Sequence, residues 1–302
     1  MTDLFRVAPE VQQALAAGVA VVALETTLVA HGFPPGVGVE VGRASEAAVR
    51  SEGAVPATVG VLDGALVVGL DDEQLERFGK AGADARKAGP RDLAACVATG
   101  ELGATTVGGT LAAARLAGIR FMGTGGIGGV HRGFAERPDV SADLAQLART
   151  QALVVSSGIK SLLDVPATAE LLESLGVPVL GFRTDELPLF YAASGGPPVS
   201  ARVDSAEEAA TVARTHWQLK RRSGLLLAQP PPTSLDDIEP LIEQALAAAE
   251  EQGVTGPAVT PFVLAFLHER SGGRTLEVNR QLVLENAQLA AEVAVAYARI
   301  AA

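Results

Sequence analysis

Lysine is scarce in this chain of 302 residues. Of its 24 basic residues only Lys80, Lys87, Lys160 and Lys220 are not arginine. Arginine stays protonated, whereas a lysine in a dry site can lose its proton and attack carbon. Lys160 lies in ALVVSSGIKSLLD, just past an apolar run and at the expected start of a helix. That places it at the carboxyl end of a strand, where open α/β sheets bind ligands. A helix N-terminus and a low-dielectric pocket would both disfavour its ammonium form. The alternative is a surface lysine in a first helical turn. Lys87, in ARKAGPRDLA, precedes a Gly-Pro break; it is either a partner for a phosphate or carboxylate, or a solvated loop charge. Glu25 closes the apolar run of VVALETTLVAHG. Burying an unpaired carboxylate is costly or neutralises it, so a strand-end Glu with a raised pKa is a candidate general acid or base. A Glu satisfied by nearby backbone N–H groups is the structural alternative.

A second feature is FMGTGGIGGVHRG, residues 121–133, which contains Gly123-x-Gly125-x-x-Gly128. That spacing marks a dinucleotide site only when the loop follows a strand and opens a helix. A strand before it is plausible, but GVHRGFAERPDVSADL follows, with two more glycines and Pro138 before any helical pattern. The acid at the expected spacing, Asp143, falls at a helix start rather than at a second strand end, which argues against a nicotinamide or flavin fold. The loop instead carries His131 and Arg132 toward Asp139 and Asp143, with Ser141 placed to cap the following helix. It is either a functional loop on a rigid scaffold or a long solvated one. In ATTVGGTLAAARLAG, Gly108-Gly109-Thr110 opens a helix after a strand. This is either an anion cradle or a tight strand–helix turn.

The elements that must hold these groups are short Val/Leu/Ile runs alternating with Ala-rich helical segments. The runs are VAVVALE, TVGVLDG, ALVVGL, TTVGG, IRFMGTGG, ALVVSSG, VPVLGF and GLLLAQP. Among the helices, Ser205-x-x-Glu208 opens SAEEAATVARTHWQLK as a capping box. Strand alternating with helix predicts an α/β layered fold with a largely parallel sheet. Gln229-Pro230-Pro231-Pro232 breaks the chain, and helices without further strands follow. With no repeat or low-complexity linker, residues 1–302 read as one domain with helical additions. Aromatic residues make up 4%, so the core must be Ala, Val and Leu.

A formal charge of −11 without a basic stripe argues against nucleic acid as a partner; Lys220-Arg221-Arg222 reads as a solvated helix end. One cysteine, Cys96, excludes a disulfide framework and a cysteine-based metal site. The N-terminus lacks a signal-peptide pattern and no run is long and apolar enough for a membrane, so a soluble cytoplasmic protein is expected. An amine, an acid, an acidic loop and an anion-binding turn together suggest an enzyme acting on a phosphorylated small molecule, such as a sugar aldehyde held as a Schiff base.

Several blocks in order, ALETTLVAHGFP, KAGPRDLA, TTVGGTLAAARLAGI, FMGTGGIGGVHRG, DVSADLAQLART, SSGIKSLLD and LEVNRQLVLENA, resemble the pseudouridine-5′-phosphate glycosidase family and its indigoidine synthase A-like relatives. The resemblance implies a three-layer α/β/α core, a homotrimer and reversible cleavage of the C–C glycosidic bond of pseudouridine 5′-phosphate to uracil and ribose 5-phosphate. By position it implies Lys160 as nucleophile and Glu25 as proton donor. Lys87, Val107, Ser141, Ala142 and Asp143 match substrate-binding positions, and His131 and Asn279 look like further pocket residues. Asp139 matches the position of a divalent metal, typically Mn²⁺, held largely through water. A Schiff-base aldolase or lyase on another phosphosugar, and a non-catalytic nucleotide-binding protein, are the competing readings.

Overall fold

The computed structural model describes residues 4–219 and 221–301. In chain order its strands are β1 (Phe5–Val7), β2 (Val21–Glu25), β3 (Val55–Leu62), β4 (Ala65–Val68), β5 (Arg86–Ala88), β6 (Gly103–Thr105) and β7 (Phe121–Gly123). Then come β8 (Val130–His131), β9 (Leu153–Ser156), β10 (Leu163–Asp164), β11 (Val179–Phe182), β12 (Ala201–Val203) and β13 (Leu225–Ala228). Eleven of them form one sheet, ordered β1-β4-β3-β2-β7-β9-β13-β11-β12, with β6 on β3 and β5 on β6. From β3 through β2, β7, β9, β13 and β11 to β12 every pairing is parallel. β3 runs antiparallel to β4 and β6. β8 and β10 make a separate antiparallel pair beyond the sheet.

A parallel sheet covered on both faces reads as unbroken apolar runs, and the central strands do. Side chains alternate between two cores: Val22, Leu24, Leu153, Val155, Leu225 and Leu227 on one face, and Val21, Ala23, Val154 and Leu226 on the other. The first face is covered by helices Val37–Ser51, Ala206–Gln218 and Arg274–Ala301, through Val49, Ala213 and Ala290. The second is covered by helices such as Pro9–Ala16, Val107–Ala117, Ala142–Leu147 and Val165–Ser174, through Val11, Leu111, Leu144 and Leu172. The fold is therefore α/β with a mostly parallel, mixed sheet between helical layers.

The low aromatic content has a structural consequence. Helix Arg274–Ala301 lies so close under β7 that a Cβ on Gly123 would sit 2.9 Å from the Ala287 Cα. Small residues permit that approach, and it carries the buried Asn279 and Asn286 up to the loops above the sheet. No helix among the described residues is long and apolar enough to cross a membrane.

Local differences from the sequence expectation are informative. The run TTVGG is not a strand: β6 ends at Thr105, and the helix begins at Val107 with Thr106 as its cap. The capping box at Ser205 is half formed. The Ser205 hydroxyl accepts the Glu208 N–H, but the Glu208 carboxylate takes the N–H of Asp204 instead of Ser205. Lys160 is not at a helix start; the next helix begins at Val165. After β13 no strand follows among the described residues, and Gln229–Pro232 joins the sheet to helix Glu239–Glu251.

Candidate active site

The C-terminal ends of β2, β7 and β9 converge. Glu25 ends β2 and is 4% exposed. The Thr124 hydroxyl, one residue past β7, donates to its Oε1. Burial raises the Glu25 pKa above the ordinary carboxyl value, while the positive charge of Lys160 and the Thr124 bond partly offset it. This is the environment in which a carboxyl group can keep or exchange a proton near neutral pH.

Beyond β7 and β9 the two chains stay paired as loops. Thr124 N–H donates to the Val155 carbonyl at 3.0 Å, Ser157 to Gly125 at 2.8 Å, Ile127 to Gly158 at 3.1 Å and Lys160 to Ile127 at 3.1 Å. Lys160 is therefore displayed, half-buried, on a loop whose backbone is tied down. Asn286 pins both loops from below, donating to the Thr124 carbonyl at 2.9 Å and to the Ser157 hydroxyl at 3.1 Å.

The glycines of 121–133 are explained by contact. A Cβ would meet the Phe190 ring at 2.6 Å from Gly126, Ser141 Oγ at 2.3 Å from Gly128, and Thr168 Oγ1 at 2.3 Å from Gly129. No helix follows the loop; β8 does, and the next helix starts at Ala142. The dinucleotide reading is excluded by that geometry.

Lys87 arrives by a different route. β3 pairs with β2 through Val59, then with β6 at Gly60 and Val61, so β6 and β5 extend the sheet past the end of β2. Thr26 and Thr105 close the junction: the Thr26 hydroxyl donates to the Val59 carbonyl and accepts the Thr105 N–H, both at 2.8 Å. Lys87, central in β5, faces the same site as Glu25. Its pKa is held below the ordinary lysine value, first by burial and then by the charge of Lys160.

Asp143 ties two of these loops together. One carboxylate oxygen accepts the Gly108 N–H at 2.7 Å and the other the Gly128 N–H at 2.9 Å. Ser141 caps this helix through the Asp143 N–H, as expected, and Ala142 is its first residue. The Gly108-Gly109-Thr110 turn is thus not an open anion cradle. Its donors go to Asp143, to the Thr106 hydroxyl and to the Thr106 carbonyl. Val107, the first residue of that helix, is buried.

His131 and Asp139 line a separate groove with Glu136 and Glu250, not the space into which Glu25 and Lys160 face, and His131 Nε2 stands 3.9 Å from Asp139 Oδ2. Burial lowers the His131 pKa, and the Asp139 charge opposes the shift. Among the described residues no three His, Cys, Asp or Glu side chains gather as a metal cage. The Asp143 oxygens are committed to backbone, whereas Asp139 shares its groove with Glu136 and Glu250, so carboxylate oxygens to spare are present there. A hard cation held by one carboxylate and otherwise by water suits that donor set.

Glu25, Lys87, Lys160 and Asn279 line one cavity, roofed by Thr260, Pro261, Leu264 and Leu267 of helix Val259–Arg270. Asn279 is 1% exposed and its Oδ1 has no partner in the protein, so the cavity holds an unmet acceptor. A site with two lysines, a carboxyl group and an unsatisfied amide can open a sugar by nucleophilic attack while reading a polar ring.

Residues 10–296 match the family model described as indigoidine synthase A like protein. The chain belongs to that family. Among its relatives, a pseudouridine-5′-phosphate glycosidase of Herpetosiphon aurantiacus is 48% identical over 300 residues, covering 98% of both chains. That of Escherichia coli is 45% identical over 303 residues, covering 99% of this chain and 97% of its own. The crystal structure of the prealnumycin C-glycosynthase AlnA in complex with ribulose 5-phosphate superposes with a TM-score of 0.90 at 41% identity, covering 100% of this chain and 99% of that one. An indigoidine synthase A-like protein from Thermotoga maritima gives 0.87 at 39% identity, covering 97% and 96%.

Within this family member, sequence reasoning missed Thr124, His31 and Phe190. Thr124 lies inside the glycine loop, and its hydroxyl among glycines was the available signal. His31 sits in the Glu25 block and lines the cavity with its Nε2 on the Ala85 carbonyl at 2.9 Å. Phe190 has φ of 65°, a strained value for a bulky residue, and no sequence cue announces it.

Proposed function

We propose that the whole chain, as one catalytic unit, is a pseudouridine-5′-phosphate glycosidase that reversibly cleaves the substrate's C–C glycosidic bond to uracil and ribose 5-phosphate. The observation that carries this reading is the convergence of Glu25, Lys87, Lys160 and Asn279 on one cavity. The 44–50% identity to proteins of that name supports it, as does a neighbour that binds a pentose phosphate.

The chemistry follows from the bond. Uracil leaves through carbon, and a carbanion cannot depart from an ordinary oxocarbenium route at useful rate. The Lys160 amine attacks C1′ and the C1′–O4′ bond breaks, with Glu25 protonating O4′ to give an open-chain amine adduct. The nitrogen lone pair then forms a C1′=N iminium as the C1′–C5 bond breaks. The released electron pair stays on C5 of the base, which takes a proton. Water hydrolyses the iminium to ribose 5-phosphate and restores the amine. Splitting one hard step into easier ones is the contribution of the covalent adduct. Glu25 is suited to the proton transfers because burial has moved its pKa up.

Lys87 and the turn residues Val107, Ser141, Ala142 and Asp143 shape and charge the phosphate end, and His131 and Asn279 contact sugar and base. Asp139 would hold a divalent cation such as Mn²⁺, which when bound supplies positive charge beside the phosphorylated ligand. A homotrimer is the assembly this reading carries.

Purified protein with pseudouridine 5′-phosphate and Mn²⁺ should release uracil, followed by chromatography, and Lys160→Ala should not. A folded, metal-supplied sample that releases none would overturn the reading. Borohydride trapping with pentose phosphates alone would then identify a Schiff-base lyase, and tight binding without turnover a nucleotide-binding protein.

A further inference from the structure

A groove of about 450 Å³ lies at the far end of the strands that carry the site. Arg115, Arg120, Arg149 and Arg222 line it with Thr150 and Gln151, and no Asp or Glu does. Arg120 immediately precedes β7, and Gln151 stands two residues before β9. The two loops are tied there by the Leu153 N–H on the Arg120 carbonyl at 2.8 Å. The groove therefore sits at the N-terminal ends of β7 and β9, whereas Thr124 and Lys160 follow their C-terminal ends.

One arginine after a helix is ordinary, because it complements the helix dipole. Four drawn from separate elements around one groove are not, in a chain of net charge −11. Among the described residues none of the four lies within ion-pair distance of a carboxylate. Three are held by a single anchor that leaves other N–H groups free. Arg149 Nε donates to the Ala145 carbonyl at 2.8 Å, and Arg115 donates to the Arg149 carbonyl at 3.2 Å. Arg120 donates to the Tyr297 hydroxyl at 2.8 Å and stacks 5.3 Å over the Trp217 ring. Guanidinium groups fixed in this way lose less freedom on pairing, and their forked donors match phosphate oxygens.

We propose that this groove is a second binding site, for a compact ligand with two phosphate groups. Ile119 is its one large apolar lining residue, so recognition rests on the phosphates rather than on a base. A single phosphate would leave guanidinium groups in a groove of this size unmet. The site stands independently of the activity proposed above.

The test is calorimetric titration of the full chain with inorganic pyrophosphate at constant ionic strength, with orthophosphate and citrate as parallel arms. Saturable binding of one pyrophosphate per chain is expected, with orthophosphate and citrate much weaker. R149Q and R222Q, both exposed and distant from the core, should each weaken it about tenfold. Lys87→Gln, in the other cavity, should leave it unchanged. Pyrophosphate binding that survives R149Q and R222Q, or is lost in Lys87→Gln, would overturn the assignment, as would equal affinity for citrate. Loss of self-association in R149Q by light scattering, without an anion effect, would make the groove a contact between copies and also overturn it. Unchanged circular dichroism and melting confirm that the variants are folded.

Discussion

Glu25 and Asp143 are both buried carboxylates, 4% and 5% exposed, whose charges act on Lys87, yet the fold treats them oppositely. Both oxygens of Asp143 accept backbone N–H groups, one from each of two loops. Glu25 receives one hydroxyl, from Thr124, and its pKa is pushed up by the burial that this bond does not offset. A satisfied buried carboxylate joins segments together; an under-satisfied one keeps its proton exchangeable. Burial alone marks neither role. What separates them is whether the backbone has been arranged to meet the charge.

The largest effect should come from changing Lys160, the proposed nucleophile. Lys160→Arg keeps the positive charge but cannot attack carbon, and turnover measured by uracil release should fall by about 10⁴-fold or more. A variant retaining a tenth of the activity would move the nucleophile elsewhere, with Lys87 the next amine to test. Glu25→Gln should lower turnover by ~10²–10⁴-fold, the range for a lost proton donor.

The same Glu25 variant should be more stable than the parent at neutral pH. A folded-state pKa raised above 4.5 means that ionisation penalises the fold. The penalty is absent below the unfolded value and grows as pH rises through the folded one. Melting curves should therefore coincide in acid and separate above it, with the variant melting higher. Asp143→Ala should do the reverse. It leaves the Gly108 and Gly128 N–H groups without partners, at about 3 kcal/mol in denaturant titration. An equal stability gain in both variants would erase the distinction between the two carboxylates.

A smaller effect sits under the roof of the cavity. His268 is half-buried with its Nδ1 on the Thr275 hydroxyl at 2.9 Å, and loss of solvent lowers its pKa to about 4. A depressed folded-state value means stability present above 6.5 and lost as pH falls toward 4. His268→Gln should flatten that acid limb by ~2 kcal/mol. An unchanged limb would assign the acid sensitivity to other groups.

Much of this was legible from residues. The apolar runs around Glu25 and Lys160 announced doubly covered strands, and the lysine scarcity singled out two residues that share the cavity. Ser141 was readable as a cap because its role is local. What failed depended on contacts distant in sequence. The Gly108 turn looks like an anion cradle until Asp143, 35 residues on, fills it. Lys87 stayed open between a ligand partner and a loop charge because β5 is three residues long and acquires strand geometry only by pairing with β6. Lys160 looked like a helix start because SLLD continues an apolar pattern, but its backbone is spent on Ile127 before the helix begins.

The most direct test of the account is to reduce the reacting protein with borohydride in the presence of pseudouridine 5′-phosphate and sequence the modified peptide by mass spectrometry. The account expects one reduced pentose phosphate per chain on the Lys160 amine, absent from Lys160→Arg. Uracil release with no trapped sugar, or the sugar carried on Lys87, would contradict it.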